Sequence, residues 1–172
     1  MIVLGTHCRM MPGIPFMDNA NEILPHLWLG NARAAQDEVF LKDKGIETVF
    51  NCSKDIAFHP IVKRRYRVPV DDNLQPDEIR NLELWSFEIV YKLNNEYKEG
   101  HPILVHCAAG MQRSPAVIAF FLIAMANLTH EQAIAFIRAR RPIAFLPSAN
   151  FLQAMKGFEE SLQKLKLEQS SK

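Results

Sequence analysis

Hydrophobic positions along this chain change period several times, and each change marks an element. Ile23-Leu24 and Leu27-Trp28-Leu29, parted by Pro25 and closed by Gly30, read as two short strands. Ala32 to Lys44 predicts a helix that stops at Gly45, the residue type that ends helices in a left-handed turn. Ile46 to Cys52 predicts a strand, as does Tyr66 to Val70, where Pro69 withholds one ladder donor. Pro76, followed by Asp77 and Glu78, opens a helix, because proline suits its first position and the acids meet the positive dipole end. Ile79, Leu82, Trp85, Ile89 and Leu93 carry its apolar core-facing stripe as far as about Lys98. Ile103-Leu104-Val105 has no polar member, as expected of a central parallel strand covered on both faces. A turn holding Gly110 precedes a helix from Arg113 to Ala126, and Thr129 with Gln132 sets up a capping box for the next helix, to about Arg140. Pro142 and Pro147 bound a loop, after which Ser148 is placed to cap a last helix ending near Leu165. Strands alternating with helices predict an α/β fold, a central, partly parallel sheet flanked by helices in three layers.

A length of 172 residues suits one domain. Residues 21–167 are expected to form it, with a poorly ordered leader over 1–20 (Pro12, Gly13 and Pro15 interrupt it) and a frayed tail over 168–172. Lys plus Arg number 20 against 19 Asp plus Glu, so no global field points to nucleic acid or membrane. Ala116 to Ala126, the longest apolar run, is about half of a membrane span. Cys8, Cys52 and Cys107 are too few and too scattered for a disulfide framework, and no cysteines or histidines have metal-ligand spacing. A reduced intracellular protein is therefore expected, cytoplasmic with the nucleus left open, holding no metal or cofactor. Its oligomeric state is not written in the sequence.

The chemistry concentrates in Val105-His-Cys-Ala-Ala-Gly-Met-Gln-Arg-Ser114. Cysteine and arginine at this spacing are weak evidence alone, but here a buried strand precedes the cysteine, a glycine sits mid-loop and a helix begins at the arginine. Such a loop turns the amides of Ala108, Ala109, Gly110, Met111, Gln112 and Arg113 inward above a helix N-terminus, a receptor for a tetrahedral dianion. A free thiol is only ~3% thiolate at pH 7, whereas cysteines beside inward amides and a guanidinium titrate at roughly 3.5 to 7.5. Arg113 offers the two-pronged grip on phosphate oxygens that lysine lacks. Cys107 is then placed to attack phosphorus. The departing oxygen needs a proton, and the adjacent carboxyls Asp71 and Asp72, past the YRVPV strand, are the available acids.

With these residues in view, the chain resembles the dual-specificity protein phosphatases of the cysteine-based tyrosine-phosphatase superfamily. His106 to Ser114 matches the superfamily's phosphate loop, EILPHLWLGN its opening strands, VPVDDN its acid loop and RRPIAFLPSANF its late loop and final helix. The resemblance implies hydrolysis of phosphotyrosine and phosphoserine/threonine on a phosphorylated protein substrate, through a phosphocysteine on Cys107. It further implies that Arg113 clamps the phosphate, Asp72 (Asp71 in second place) is the general acid, and Ser114 helps the sulfur leave. His106 is implied to orient the loop without entering the chemistry. Two departures stand out. The stretch from Asp72 to Cys107 is a few residues longer than usual, and Ser148 replaces an asparagine that commonly braces the loop, so a weaker or different brace is expected.

Ala108, Ala109, Met111 and Gln112 carry no charge, whereas phosphoinositide phosphatases of the superfamily place lysines there; a protein substrate is therefore preferred. Phosphoinositide or RNA 5′-triphosphate hydrolysis, and a catalytically idle phosphopeptide-binding module, stay as alternatives. Lys63, Arg64, Arg65 and Arg67 form the strongest basic cluster, either a solvated strand face or a dock for an acidic partner. Arg141 falls in the late loop and is expected to meet a second phosphate or an acidic side chain. Cys52 is either a small hydrophobe at a strand end or, by analogy with a lipid phosphatase of the superfamily, a redox partner for Cys107.

Overall fold

The structure is a computed structural model that describes residues 18–171, so Cys8 and most of the expected leader lie outside the described residues. Strands β1 (Ala20–Leu24) and β2 (Leu27–Gly30) form an antiparallel pair. Beyond them come β3 (Thr48–Asn51), β4 (Arg64–Arg67) and β5 (Ile103–His106), in the sheet order β1-β2-β5-β3-β4. All neighbours except β1 and β2 are parallel. The carboxyl ends of the four parallel strands therefore share one edge, where ligand sites of such sheets form.

Helices cover both faces. α1 (Ala32–Gln36) and α2 (Glu38–Asp43) lie on one side, with Leu41, Val49 and Leu104 in their cluster. α3 (Pro76–Lys98), α4 (Arg113–Ala126), α5 (His130–Arg140) and α6 (Leu152–Ser170) cover the other, where Ile103 and Val105 pack with Phe120, Phe121 and Phe158. β5 is thus buried on both faces, as its unbroken apolar run predicts, and each fully buried aliphatic chain contributes about 1.5 to 3 kcal/mol. Among the described residues no single helix is long and apolar enough to cross a membrane.

Local chemistry explains where the elements depart from the predicted bounds. The expected helix over 32–44 is two helices, because Asp37 leaves helical geometry (φ −87°, ψ 97°). Its N–H closes α1 on Ala34 while its side chain accepts from the Phe40 N–H to cap α2. β4 begins and ends earlier than predicted. Arg64 donates to the Glu47 carbonyl at 2.9 Å, Val68 makes the last inward bond to Asn51 at 2.9 Å, and Pro69 has no donor to continue. The Thr129–Gln132 capping box is present. α6 starts after Phe151 without a side-chain cap and runs to Ser170, beyond the expected end.

At the opposite edge of the sheet, the buried Glu96 carboxylate gathers the Tyr66 hydroxyl (2.6 Å), Arg64 Nε (2.9 Å), His101 Nδ1 (2.8 Å) and the Thr48 hydroxyl (3.2 Å). Burial pushes its pKa up, but these four groups outweigh burial and hold the carboxyl below its ordinary value. The same bond is the first cause, with burial second, that pushes Tyr66 up to about 12. This network fixes α3 to β3 and β4.

Candidate active site

The loop from Cys107 to Gln112 joins β5 to α4, and its shape follows from where its carbonyls go. The His106 ring lies with Nδ1 3.3 Å from the Cys107 carbonyl. Ala32 N–H takes the Ala108 carbonyl at 3.0 Å, and Phe145 N–H takes that of Met111 at 2.7 Å. Between them the Arg141 guanidinium donates to the carbonyls of Gly110 (2.8 Å) and Ala109 (3.3 Å). A trans peptide puts its N–H opposite its C=O, so carbonyls tied outward on 108 to 111 turn the amides of 109 to 112 inward. Gly110 is required here: its φ is 67°, and a Cβ would meet the Gly30 carbonyl oxygen at 2.5 Å.

The Cys107 sulfur sits at the bottom of this ring, buried, 3.3 Å from both the Gly110 N–H and the Ser114 hydroxyl. Burial would raise the thiol's pKa, but hydrogen bonds from the Ser114 hydroxyl and N–H, the Arg113 charge and the Gly110 N–H outweigh it and lower the pKa. Arg113, the first residue of α4, donates through Nη1 to the Val70 carbonyl at 3.1 Å, while its buried Nε has no partner among the described residues. His106 is pushed down to about 4, mainly by burial and further by Arg67 and Arg113, so its ring is neutral at neutral pH. It supports the loop as a neutral donor to the Cys107 carbonyl.

The two candidate acids face different ways. Asp71 accepts from Lys54 Nζ at 2.7 Å, and its N–H donates to Glu78 at 2.8 Å, outside the site. Asp72 accepts from the Asn150 side-chain amide at 2.8 Å. Asn150 in turn donates its N–H to the Gln112 side chain at 3.0 Å, so Asp72 connects through Asn150 to the phosphate-loop assembly.

One expectation about a side chain needs correction. Arg141 is not presented to a substrate: it is 1% exposed, and its guanidinium is spent on Gly110, Ala109, the Asp18 carbonyl and Asn21. Gln112 keeps its amide in the inward ring, while its side chain is buried and donates to the carbonyls of Leu146 and Ser148, both at 2.9 Å. The brace missing at Ser148 is therefore supplied from the other side, by Gln112 and Arg141. Neither Asn150 nor the Val70 carbonyl was singled out in the sequence, because both act through contacts that only the folded chain creates.

Cys52 lies at the end of the neighbouring strand, its N–H donating to the His106 carbonyl at 2.7 Å. It is fully buried, and burial first, then the negative charge of Cys107, pushes its thiol well above the ordinary range. Both cysteines are free thiols. Glu96, Glu99 and His101 are grouped closely enough to suit a cation, but Glu96 is already saturated by the donors described above.

Comparison with known proteins agrees with this geometry. The chain is 30% identical to dual specificity protein phosphatase 4 of Gallus gallus over 153 residues, covering 87% of this chain and 40% of that protein. It is 26% identical to dual specificity protein phosphatase 8 of Homo sapiens over 164 residues, 94% of this chain and 25% of that one. The chain thus spans well under half the length of these two relatives. Among solved structures, human DUSP28 superposes with a TM-score of 0.72 at 29% identity, covering 85% of this chain and 96% of that one. DUSP15 superposes with a TM-score of 0.76 at 25% identity, covering 90% and 97%. Residues 27–161 match the family described as dual specificity phosphatase, catalytic domain, and the chain belongs to that family.

Proposed function

We propose that this domain hydrolyses phosphotyrosine and phosphoserine/threonine on proteins through a phosphocysteine. The observation that carries this reading is the Cys107 sulfur, buried yet held by the Ser114 hydroxyl and the Gly110 amide under a ring of inward N–H groups. In the first step the Cys107 thiolate forms the S–P bond as the P–O bond to the substrate breaks, and the departing oxygen takes the proton of Asp72. Arg113 and the inward amides hold the phosphoryl oxygens as charge develops on them. In the second step Asp72 takes a proton from water, whose oxygen attacks phosphorus. The S–P bond then breaks, and the leaving thiolate is received by the hydroxyl of Ser114.

A protein substrate is supported by the uncharged side chains of Ala108, Ala109 and Met111, which offer nothing to the extra phosphates of an inositol or a triphosphate end. The reading is tested by comparing turnover of phosphotyrosine and phosphothreonine peptides, an inositol phosphate and an RNA 5′-triphosphate under one condition. Faster turnover of both peptides supports it, and faster turnover of the inositol phosphate or the triphosphate assigns another substrate. Peptide binding without turnover would make the domain an idle phosphopeptide module. A thiolate nucleophile works in a reducing compartment, so we place the protein in the cytoplasm.

The contact between the ends of β3 and β5 favours a second role, for Cys52. Peroxide oxidises the Cys107 thiolate to a sulfenic acid. The Cys52 thiol then forms an S–S bond, and the sulfenic oxygen leaves as water. Mass spectrometry of peroxide-treated protein should show the Cys52–Cys107 bridge, and its absence removes this role.

A further inference from the structure

β4 is an edge strand, and its free side is open. Arg64 and Val68 donate their N–H groups inward to β3 and its extension. Because backbone groups alternate along a strand, the N–H and C=O groups of Arg65 and Arg67 face away from the sheet. They have no hydrogen-bond partner among the described residues. Beside this edge lies a cavity of about 260 Å³, floored by the stacked rings of Phe50 and Tyr66 and walled by Pro69, Trp85 and Ile89. Lys92 and Glu88 stand at its α3 side, paired with each other at 2.6 Å, so this wall carries no net charge and the apolar residues define the cavity. An extended chain paired with β4 directs every second side chain toward this cavity.

Charge selects the occupant. In the basic cluster, Lys63 is paired with Glu47 (2.6 Å) and Arg64 with Glu96 (2.9 Å). The exposed Arg65 and Arg67 have no carboxylate partner among the described residues. Arg65 donates to the carbonyls of Val62 and Pro60, and Arg67 to those of Ser53 and Ile56, bonds that fix the guanidiniums without neutralising them. A second copy pairing edge to edge would set these cations against their own images. Residues 1–17 of this chain contain no Asp or Glu. Neither complements the edge.

We propose that the open edge of β4 and the cavity beside it dock an extended, acidic segment of a partner protein, which adds to the sheet as a further strand and inserts an apolar side chain between β4 and α3. The chain leaves β4 through Val68 and Val70 into the Asp71–Asp72 loop, so a segment bound here is tethered beside the phosphate pocket without occupying it. The site stands apart from the catalytic reading, and its occupancy is read by binding.

The test uses a fluorescein-labelled peptide of alternating glutamate and leucine, titrated with the intact chain by anisotropy, with Trp85 emission as a second readout. Saturable binding should weaken at least tenfold for Arg65→Glu, while that variant keeps its aryl-phosphate turnover within about twofold. Two further peptides, each N-methylated at one alternate set of amides, probe the protein without altering it. Methylation of the set that faces β4 should weaken binding at least tenfold, and methylation of the other set less than threefold. Equal loss from both peptides, no binding of the acidic peptide, or equal binding of an alternating lysine–leucine peptide would overturn the proposal. So would self-association of the protein that competes with the acidic peptide, which would give the edge to a second copy.

Discussion

Cys52 and Cys107 end adjacent parallel strands and are 0% and 2% exposed, yet their thiols are driven in opposite directions. Burial acts upward on both. The difference lies in what faces each sulfur. The charge of Arg113 lowers both, but Cys107 also receives the Ser114 hydroxyl and the Ser114 and Gly110 amides, whereas the Cys52 thiol has only a weak contact to the Phe50 carbonyl at 4.0 Å and feels the negative charge of Cys107. Burial alone therefore keeps a thiol protonated, and burial inside a ring of donors lowers its pKa.

The largest expected effect breaks the pair apart. Cys107→Ser should lower aryl-phosphate turnover by about 10⁴-fold or more, while Cys52→Ala should leave it within about twofold and cost stability of about 1 to 2 kcal/mol in denaturant melts. Comparable loss of activity in both variants would make the cysteines functionally alike. Next in size, Asp72→Ala should slow alkyl phosphates by about 10² to 10⁴-fold and good aryl leaving groups much less. Asp71→Ala should change neither by more than about threefold, because it loses only exposed contacts to Lys54. Reversed results would move the acid role to Asp71.

Smaller again, Ser114→Ala removes the strongest donor to the Cys107 sulfur and should slow phosphoenzyme hydrolysis by about 10 to 100-fold. Its acid limb in the pH–rate profile should move to higher pH, since the thiolate loses a stabilising bond. An unmoved limb would mean that Ser114 does not set the thiol's pKa. At neutral pH the weakest effect concerns His106, whose pKa in the folded state is about 4 against about 6.5 unfolded. The unfolded chain binds the proton more readily between those values. Stability is therefore complete above pH 6.5 and should fall by about 3 kcal/mol as pH drops to 4. Denaturant melts across that range should show a slope that His106→Asn lacks, and an unchanged slope would place the acid sensitivity elsewhere.

What the sequence disclosed follows the distance between the cooperating residues. The β5–loop–α4 unit is contiguous, so its strand, mid-loop glycine and helix start are all legible in a dozen residues. The braces of that loop are not. Arg141 belongs to a loop beyond two helices, and only the folded chain shows that its guanidinium turns inward onto Gly110 and Ala109 instead of outward to a ligand. Gln112 lies inside the motif, but the direction of its side chain is set by the carbonyls of Leu146 and Ser148. The preference for Asp72 over Asp71 rests on the resemblance, and only the folded chain shows that Asp72 meets Asn150 while Asp71 meets Lys54. The break at Asp37 was readable in principle, since an aspartate followed by glutamate is a start signal placed mid-helix.

The central claim is that donors around one sulfur, and not its depth, make it anionic. The most direct test is the rate of iodoacetamide alkylation at each cysteine from pH 4 to 10, resolved by peptide mapping. Cys107 should react with an apparent pKa below the ~8.5 of a free thiol, and Cys52 should stay unmodified until the chain unfolds. A Cys107 that titrates like an ordinary thiol, or a Cys52 that reacts alongside it in the folded protein, would contradict the account.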